Sequence, residues 1–313
     1  MQLLHDSEPA TPVRLDVFLH ERLPAMSRRT AQAAIAAGAV RINGRRARKA
    51  QLVAAGDVVE IAEEALAPDR PAADAGLALE IVYEDSSVVA VDKPAGVPTH
   101  ALRTGETATV ASFLTARYPE VLAVCERPLE AGIVHRLDND TSGLLLAART
   151  PHAYEHLRNQ FAERHVIKEY AALVHGLVEN EGAIRTPIAP DRRRHDRMRT
   201  ADAATPGARA AATTYRPIQR VGRDTLLAVR ISTGVRHQIR VHLAALGHPI
   251  VGDTRYGAPS GSGAARQMLH ACYLEVDHPE RALRLDLRSA LPADFLEVMR
   301  RLQHGRGKRQ RRR

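Results

Sequence analysis

Residues 132–149 read Gly-Ile-Val-His-Arg-Leu-Asp-Asn-Asp-Thr-Ser-Gly-Leu-Leu-Leu-Ala-Ala-Arg. Apolar runs flank a short polar island that holds Arg136, Asp138, Asp140, Thr141 and Ser142. Ile133 and Val134 lead in, and the unbroken apolar run 144–148 leads out as a buried strand would. Such a pattern fixes a turn between two core segments, a common way to hold a reactive side chain still. An isolated Arg-Leu-Asp is read more simply as a capped turn, since Asp and Thr bond local backbone amides well. The remainder of the chain decides between the two.

At 313 residues the chain has room for one large domain and a small one. A hydrophobic fraction of 44% suits a globular protein, and no apolar run approaches the length of a membrane span. The first nine residues lack a basic-then-apolar signal pattern, so a cytoplasmic protein without a membrane segment is expected. Cys125 and Cys272, the only cysteines, exclude a disulfide framework and a Cys-rich zinc site. His237, His242, His248 and His270 do not fall two to a helical face and have no accompanying carboxylate pattern, so no metal is expected.

The net charge of +9 points to an anionic partner. Location matters more than the total. The tail 304–313 carries six basic residues and no acid, and without it the charge falls to +3. It reads as a solvated, disordered arm with non-specific phosphate affinity. Arg41, Arg45, Arg46, Arg48 and Lys49 form an acid-free cluster inside a folded-looking segment, which is better evidence for nucleic acid. A third cluster, Arg192, Arg193, Arg194, Arg197 and Arg199, is interrupted by Asp191 and Asp196.

In chain order, residues 1–13 are an extension and 14–62 a compact module. Within the module, Ser27 caps a helix that runs to Ala37 and stops at Gly38. Asn43-Gly44 marks a hairpin after an alternating strand. Residues 63–76, rich in Ala, Pro and Asp, read as a linker, and 77–303 as the large domain. There, Thr150 caps and Pro151 opens a helix to about Glu163. A strand follows in which Lys168 and Tyr170 share a face. Residues 184–210 have few apolar positions and read as a mobile excursion with some prospect of RNA contact.

The stretch 135–145 resembles the signature loop of the RluA-type pseudouridine synthases, His-Arg-Leu-Asp-x-x-Thr-Ser-Gly-Leu-Leu, at every specified position. Lys168-x-Tyr170 resembles the second motif of that family. His237-Gln238-Ile239-Arg240-x-His242 resembles the third, although many relatives place arginine directly after the glycine, where this chain has Val235, with Arg236 one step later. That departure leaves the role of Arg236 open. Lys93-Pro94-x-Gly96, Gly252-Asp253-x-x-Tyr256-Gly257 and Met268-Leu269-His270-Ala271 also match the family wording. At Lys93, RNA contact and a structural turn are both open. The module 14–62 is similar to the alpha-L (S-four-type) RNA-binding domain, in Ser27-Arg28, Gly38-x-Val40-x-Ile42-Asn43-Gly44 and Gly56-Asp57-x-Val59.

The resemblance implies an α+β protein. A small RNA-binding domain would precede a catalytic domain built on a mixed, mainly antiparallel sheet with flanking helices. It implies an isomerase that turns uridine into pseudouridine within RNA, most simply large-subunit ribosomal RNA, as a monomer and without a cofactor. Asp138 would attack the sugar carbon or the proton beside it, Tyr170 would wall the base, and Arg240 would pair with Asp138 and lower its pKa. Arg136 would fill the space left by the extruded uridine. His135, Thr141, Lys168 and Leu269 would line the substrate site, and Arg28, Arg29, Arg41, Arg45 and Arg46 would meet phosphates. The rivals are a transfer-RNA synthase, a glycosidase-like hydrolase that releases uracil, and a non-catalytic RNA-binding ribosome-assembly factor.

Overall fold

The computed structural model describes residues 1–4, 12–23, 26–66, 70–125 and 127–304. The basic tail beyond His304 and residues 5–11 of the extension lie outside the described residues.

The first unit contains β1 (Gln2–Leu4), β2 (Val13–Arg14), α1 (Leu15–Arg22), α2 (Arg28–Ala37), β3 (Val40–Ile42), β4 (Arg45–Arg46), β5 (Leu52–Val53) and β6 (Val58–Ile61). The sequence signals account for α2. The Ser27 hydroxyl accepts the Thr30 amide at 3.1 Å, and Gly38 ends the helix in the left-handed region at φ 80°. Ala31, Ala34 and Ile35 face a small core with Leu15, Phe18, Val40 and Val59. Asn43 and Gly44 both have positive φ, as a tight hairpin between β3 and β4 requires. A four-stranded antiparallel sheet runs β1-β6-β3-β4, and β2 pairs with β5.

The second unit contains β7 (Glu80–Glu84), β8 (Val88–Lys93), α3 (Val110–Arg117), β9 (Ser142–Ala148), α4 (Pro151–Glu163), β10 (Ile167–Val174), β11 (Gly182–Ile184), β12 (Ile188–Pro190) and β13 (Met198–Thr200). It continues through β14 (Thr213–Val221), β15 (Asp224–Ile231), α5 (Gln238–Ala245), β16 (Leu269–Asp277), β17 (Arg284–Arg288) and α6 (Ala293–His304). Nine strands form one sheet in the order β11-β14-β15-β10-β16-β9-β8-β7, with β17 beside the far half of β16. Every pair is antiparallel except β9 with β16, which touch at Ser142–His270 and Gly143–Ala271. That short parallel pair lies in the interior of the sheet. The stretch 132–149 therefore ends in an interior strand, and all seven residues of β9 are buried.

The glycine of the Thr-Ser-Gly sequence has a steric reason at this position. Gly143 lies at φ 115°, and a Cβ there would fall on the Ala271 carbonyl oxygen. Only the absence of a side chain lets the two strands meet.

One local expectation changes in the fold. Residues 184–210 are an ordered hairpin of β12 and β13, not a loose excursion. Ile188, Met198 and Ala211 build a small core with Val235 and Val241, partners that no local pattern could indicate. Leu246 lies just beyond α5 and is exposed, whereas Ile239, Val241 and Leu243 are the apolar residues that α5 buries. Residues 72–74 are bonded to the larger unit, with the Asp74 amide donating to Ser112 O at 3.0 Å and the Asp74 carboxylate accepting the Ala108 amide at 2.9 Å.

Candidate active site

The loop 135–141 owes its shape to hydrogen bonds on its carbonyl groups. Thr99 Oγ1 donates to Leu137 O at 3.0 Å, and the Thr141 amide to Asp138 O at 3.1 Å. Lys93 Nζ donates to Asn139 O at 2.8 Å as well as to Pro94 O and Val97 O. Arg266 Nη1 donates to Asp140 O at 3.2 Å. Each carbonyl from Leu137 to Asp140 thus has a donor, and a loop so satisfied presents its side chains in one arrangement. Lys93 is wholly buried, which decides its role in favour of the structural turn. Burial pulls its pKa down to about 8, against the opposing charge of Asp140.

Asp138 faces Arg240, which α5 delivers from 102 residues further along. Arg240 Nη1 donates to Asp138 Oδ2 at 2.9 Å, while its Nε and Nη2 grip Asp253 at 2.6 and 2.9 Å. One guanidinium therefore bridges two carboxylates, with the two-pronged contact on the buried Asp253. Burial works against the Arg240 charge, but the hydrogen bonds and charge of Asp253, and then those of Asp138, hold its pKa above the usual guanidinium value. The Tyr256 ring lies over the guanidinium at 5.1 Å. Tyr256 Oη also meets His237 Nδ1 at 2.7 Å and accepts the Met198 amide at 2.9 Å. His237 Nε2 stands 3.9 Å from Asp138 Oδ1. Burial pushes the His237 pKa down to about 4 although the Asp138 charge pulls it up.

Asp138, His237 and Arg240 open onto a cavity of about 500 Å³. Tyr170 from β10 and Leu269 from β16 give it a flat apolar wall, and both are buried. Burial, and next the negative charge of Asp138, push the Tyr170 phenol upward, so it stays neutral. Arg136 is exposed at the mouth. Lys168 lines the cavity with its ammonium over the Phe161 ring at 5.6 Å, and burial lowers its pKa to about 8. His135 stacks on the same ring at 4.8 Å, and its Nε2 accepts the Leu146 amide at 3.0 Å, so that nitrogen is committed to the backbone. Thr141 is buried at the back, with Gln267 donating to its hydroxyl at 3.4 Å. All eight residues expected at the substrate site from the large domain line this one cavity.

The basic residues of the first unit are placed differently from one another. Arg29, Arg41, Arg45 and Arg46 are exposed. Arg46 donates to Ala36 O at 3.1 Å, which draws the hairpin toward the end of α2. Arg41 and Arg46 face each other across β3 and β4, an arrangement of like charges that an anion would relieve. Arg28 donates to the buried Asp16 carboxylate at 3.0 Å, so part of its fork is used inside the domain.

Asp253, Tyr256 and His237 carry no role in the sequence reading, although each stands inside a quoted family word. Arg236, left open there, donates to Asp196 O at 3.1 Å, as does Arg255. The two tie the β12–β13 turn to the rim of the cavity. Among the described residues, no group of three or more His, Cys, Asp or Glu is placed to hold a metal, and no helix is long and apolar enough to cross a membrane.

A sheltered carboxylate beside a base-sized cleft, joined to a basic small domain, defines a nucleic-acid-modifying enzyme. The family model for RNA pseudouridylate synthase matches residues 87–245, and that for the S4 domain residues 13–59. A ribosomal large subunit pseudouridine synthase D of Yersinia pestis is 35% identical, covering 91% of this chain and 90% of that protein. An uncharacterised RNA pseudouridine synthase of Chloroflexus aurantiacus is 41% identical over 94% of this chain and 91% of its own. The solved human RNA pseudouridylate synthase domain containing 1 is 25% identical, with a TM-score of 0.54 over 72% of this chain and 95% of that one. The chain belongs to the RNA pseudouridylate synthase family and isomerises uridine to pseudouridine in RNA.

Proposed function

We propose that the substrate is large-subunit ribosomal RNA, modified in the cytoplasm by a single copy of the chain, and that Asp138 is the group that acts on the sugar. What carries this reading is the contact of Asp138 with Arg240, 2.9 Å long, at the wall of a cavity faced by Tyr170 and Leu269. A uridine turned out of its stack would present its base to Tyr170 and its glycosidic bond to Asp138. Arg136 at the mouth would occupy the gap in the RNA. Lys168 would meet a phosphate. The isomerisation breaks one bond from the sugar to the base nitrogen and makes one to a base carbon, so its atoms balance without an external group. Relatives named for the ribosomal large subunit, together with the S4 domain, support the choice of RNA.

The cavity lining bears on the hydrolase alternative. Asp138 is the single carboxylate residue among the described residues that line it, whereas hydrolysis of a glycosidic bond ordinarily uses two acids across that bond. Asp138→Asn should abolish pseudouridine formation and leave RNA affinity within about twofold. Wild-type activity in that variant would overturn the assignment of Asp138. Mapping pseudouridines in a deletion strain tests the substrate, since lost sites confined to transfer RNA would replace ribosomal RNA with the alternative.

A further inference from the structure

His237 occupies a costly backbone position. It sits at φ 57°, ψ 19°, immediately before α5, in the left-handed region that a side chain enters only when its surroundings enforce it. Gln238 supplies that enforcement. Its Oε1 accepts the Val235 amide at 3.1 Å and the Thr233 hydroxyl at 2.7 Å, and its Nε2 donates to Ala212 O at 2.9 Å. The result turns the imidazole into the cavity beside Asp138.

The hydrogen bonds around Tyr256 choose the tautomer. Tyr256 Oη accepts the Met198 N–H, and among the described hydrogen bonds His237 Nδ1, at 2.7 Å, is the partner able to take the phenol proton. The ring N–H is thereby left on Nε2, which looks toward Asp138 Oδ1 across 3.9 Å. That separation is too long for a direct hydrogen bond, and it suits an oxygen set to one side that touches both groups. Arg240 is committed to Asp138 and Asp253 through its Nε, Nη1 and Nη2 atoms.

On either route open to it, Asp138 meets the substrate at the C1′–C2′ bond of the ribose. The 2′-oxygen is one bond from that place. We propose that His237 donates its Nε2–H to the 2′-hydroxyl of the target uridine and is the residue that distinguishes a ribose from a deoxyribose at the reacting nucleotide. This rests on the reading of Asp138 as the group at the sugar. The 2′-hydroxyl is the chemical mark that separates RNA from DNA, and a neutral N–H held on a strained, immobile backbone is a suitable reader of it. Burial keeps the ring neutral at working pH.

The test is a cycle of two changes, one on each side of the proposed bond. Single-turnover rates are measured on a synthetic RNA that carries the mapped target as uridine or as 2′-deoxyuridine, with wild type and with His237→Asn. Asparagine tolerates the left-handed region, so the backbone is retained while the reaching N–H is withdrawn. Wild type should lose about tenfold in rate on the deoxy target beyond what the variant loses, the scale of one hydrogen bond. Relative to wild type, His237→Asn should lose about tenfold on the ribose target and less than about twofold on the deoxy one. Any intrinsic effect of the 2′-substituent on the chemistry is common to both enzymes and cancels in the ratio. Tyr256→Phe keeps the ring over Arg240 but frees the tautomer, and should cut the ribose preference part of the way. Losses that multiply, with the same ribose preference in all three proteins, would overturn the proposal. If Asp138→Asn proves active in the same assay, the reading of the site itself falls. If it is inactive and the losses multiply, only the role of His237 does.

Discussion

Asp138 is held by its partner's partner. Asp253 takes two of the Arg240 nitrogens from below and leaves a third for Asp138, so the direction of that guanidinium is set before any substrate arrives. Removing one negative charge from this buried group leaves Arg240 with a single full counter-charge and freedom to turn toward it. Asp253→Asn should therefore lower turnover by about ten- to a hundredfold, with RNA affinity within about twofold, as loss of an orienting contact does. Matched kcat values for Asp253→Asn and wild type would show that Asp138 and Arg240 align unaided. Nothing in residues 132–149 announces Asp253, because a carboxylate that orients a cation lies where the fold places it and bears no local mark.

At the level of elements, the parallel contact decides where the loop can stand. β9 and β16 approach closely only because Gly143 adopts φ 115° with no Cβ. Gly143→Ala would demand both a strained backbone and a separation of β9 from β16. It should cost at least about 2 kcal/mol, read as a lower urea midpoint. Activity should fall further than stability does, because Asp138 lies five residues upstream in the segment that must shift. A fully active, equally stable Gly143→Ala protein would show that the strand contact does not position the loop. The N-caps Ser27 and Thr150 and the Asn43-Gly44 turn were legible in the chain, since each depends on neighbours within a few residues. The β12–β13 hairpin was not, because its apolar residues meet Val235 and Val241 from another segment.

Across the whole molecule, buried and half-buried histidines tie stability to pH. Burial pushes His100 and His237 down to about 4 and His135 down to about 3. An unfolded histidine takes up a proton near pH 6.5, while these three stay neutral in the folded protein until lower pH. Between those limits the unfolded chain binds more protons, so stability falls as pH falls. Each should cost on the order of 1–3 kcal/mol by pH 4, and the decline should begin above the range where carboxylates titrate. Urea unfolding followed from pH 7 to pH 4.5 checks this, and a flat midpoint over that window would contradict it.

The sequence by itself determined the alternation of core and turn, the helix ends, and the words around Asp138, Tyr170 and Arg240. All of these are written in short stretches governed by local sterics and side-chain chemistry. The tertiary structure alone decided that Lys93 is a buried brace, that Asp253 holds Arg240, and that His237 looks at Asp138. Those facts depend on contacts between segments tens of residues apart, whose energies belong to the packed arrangement and to no one stretch of chain.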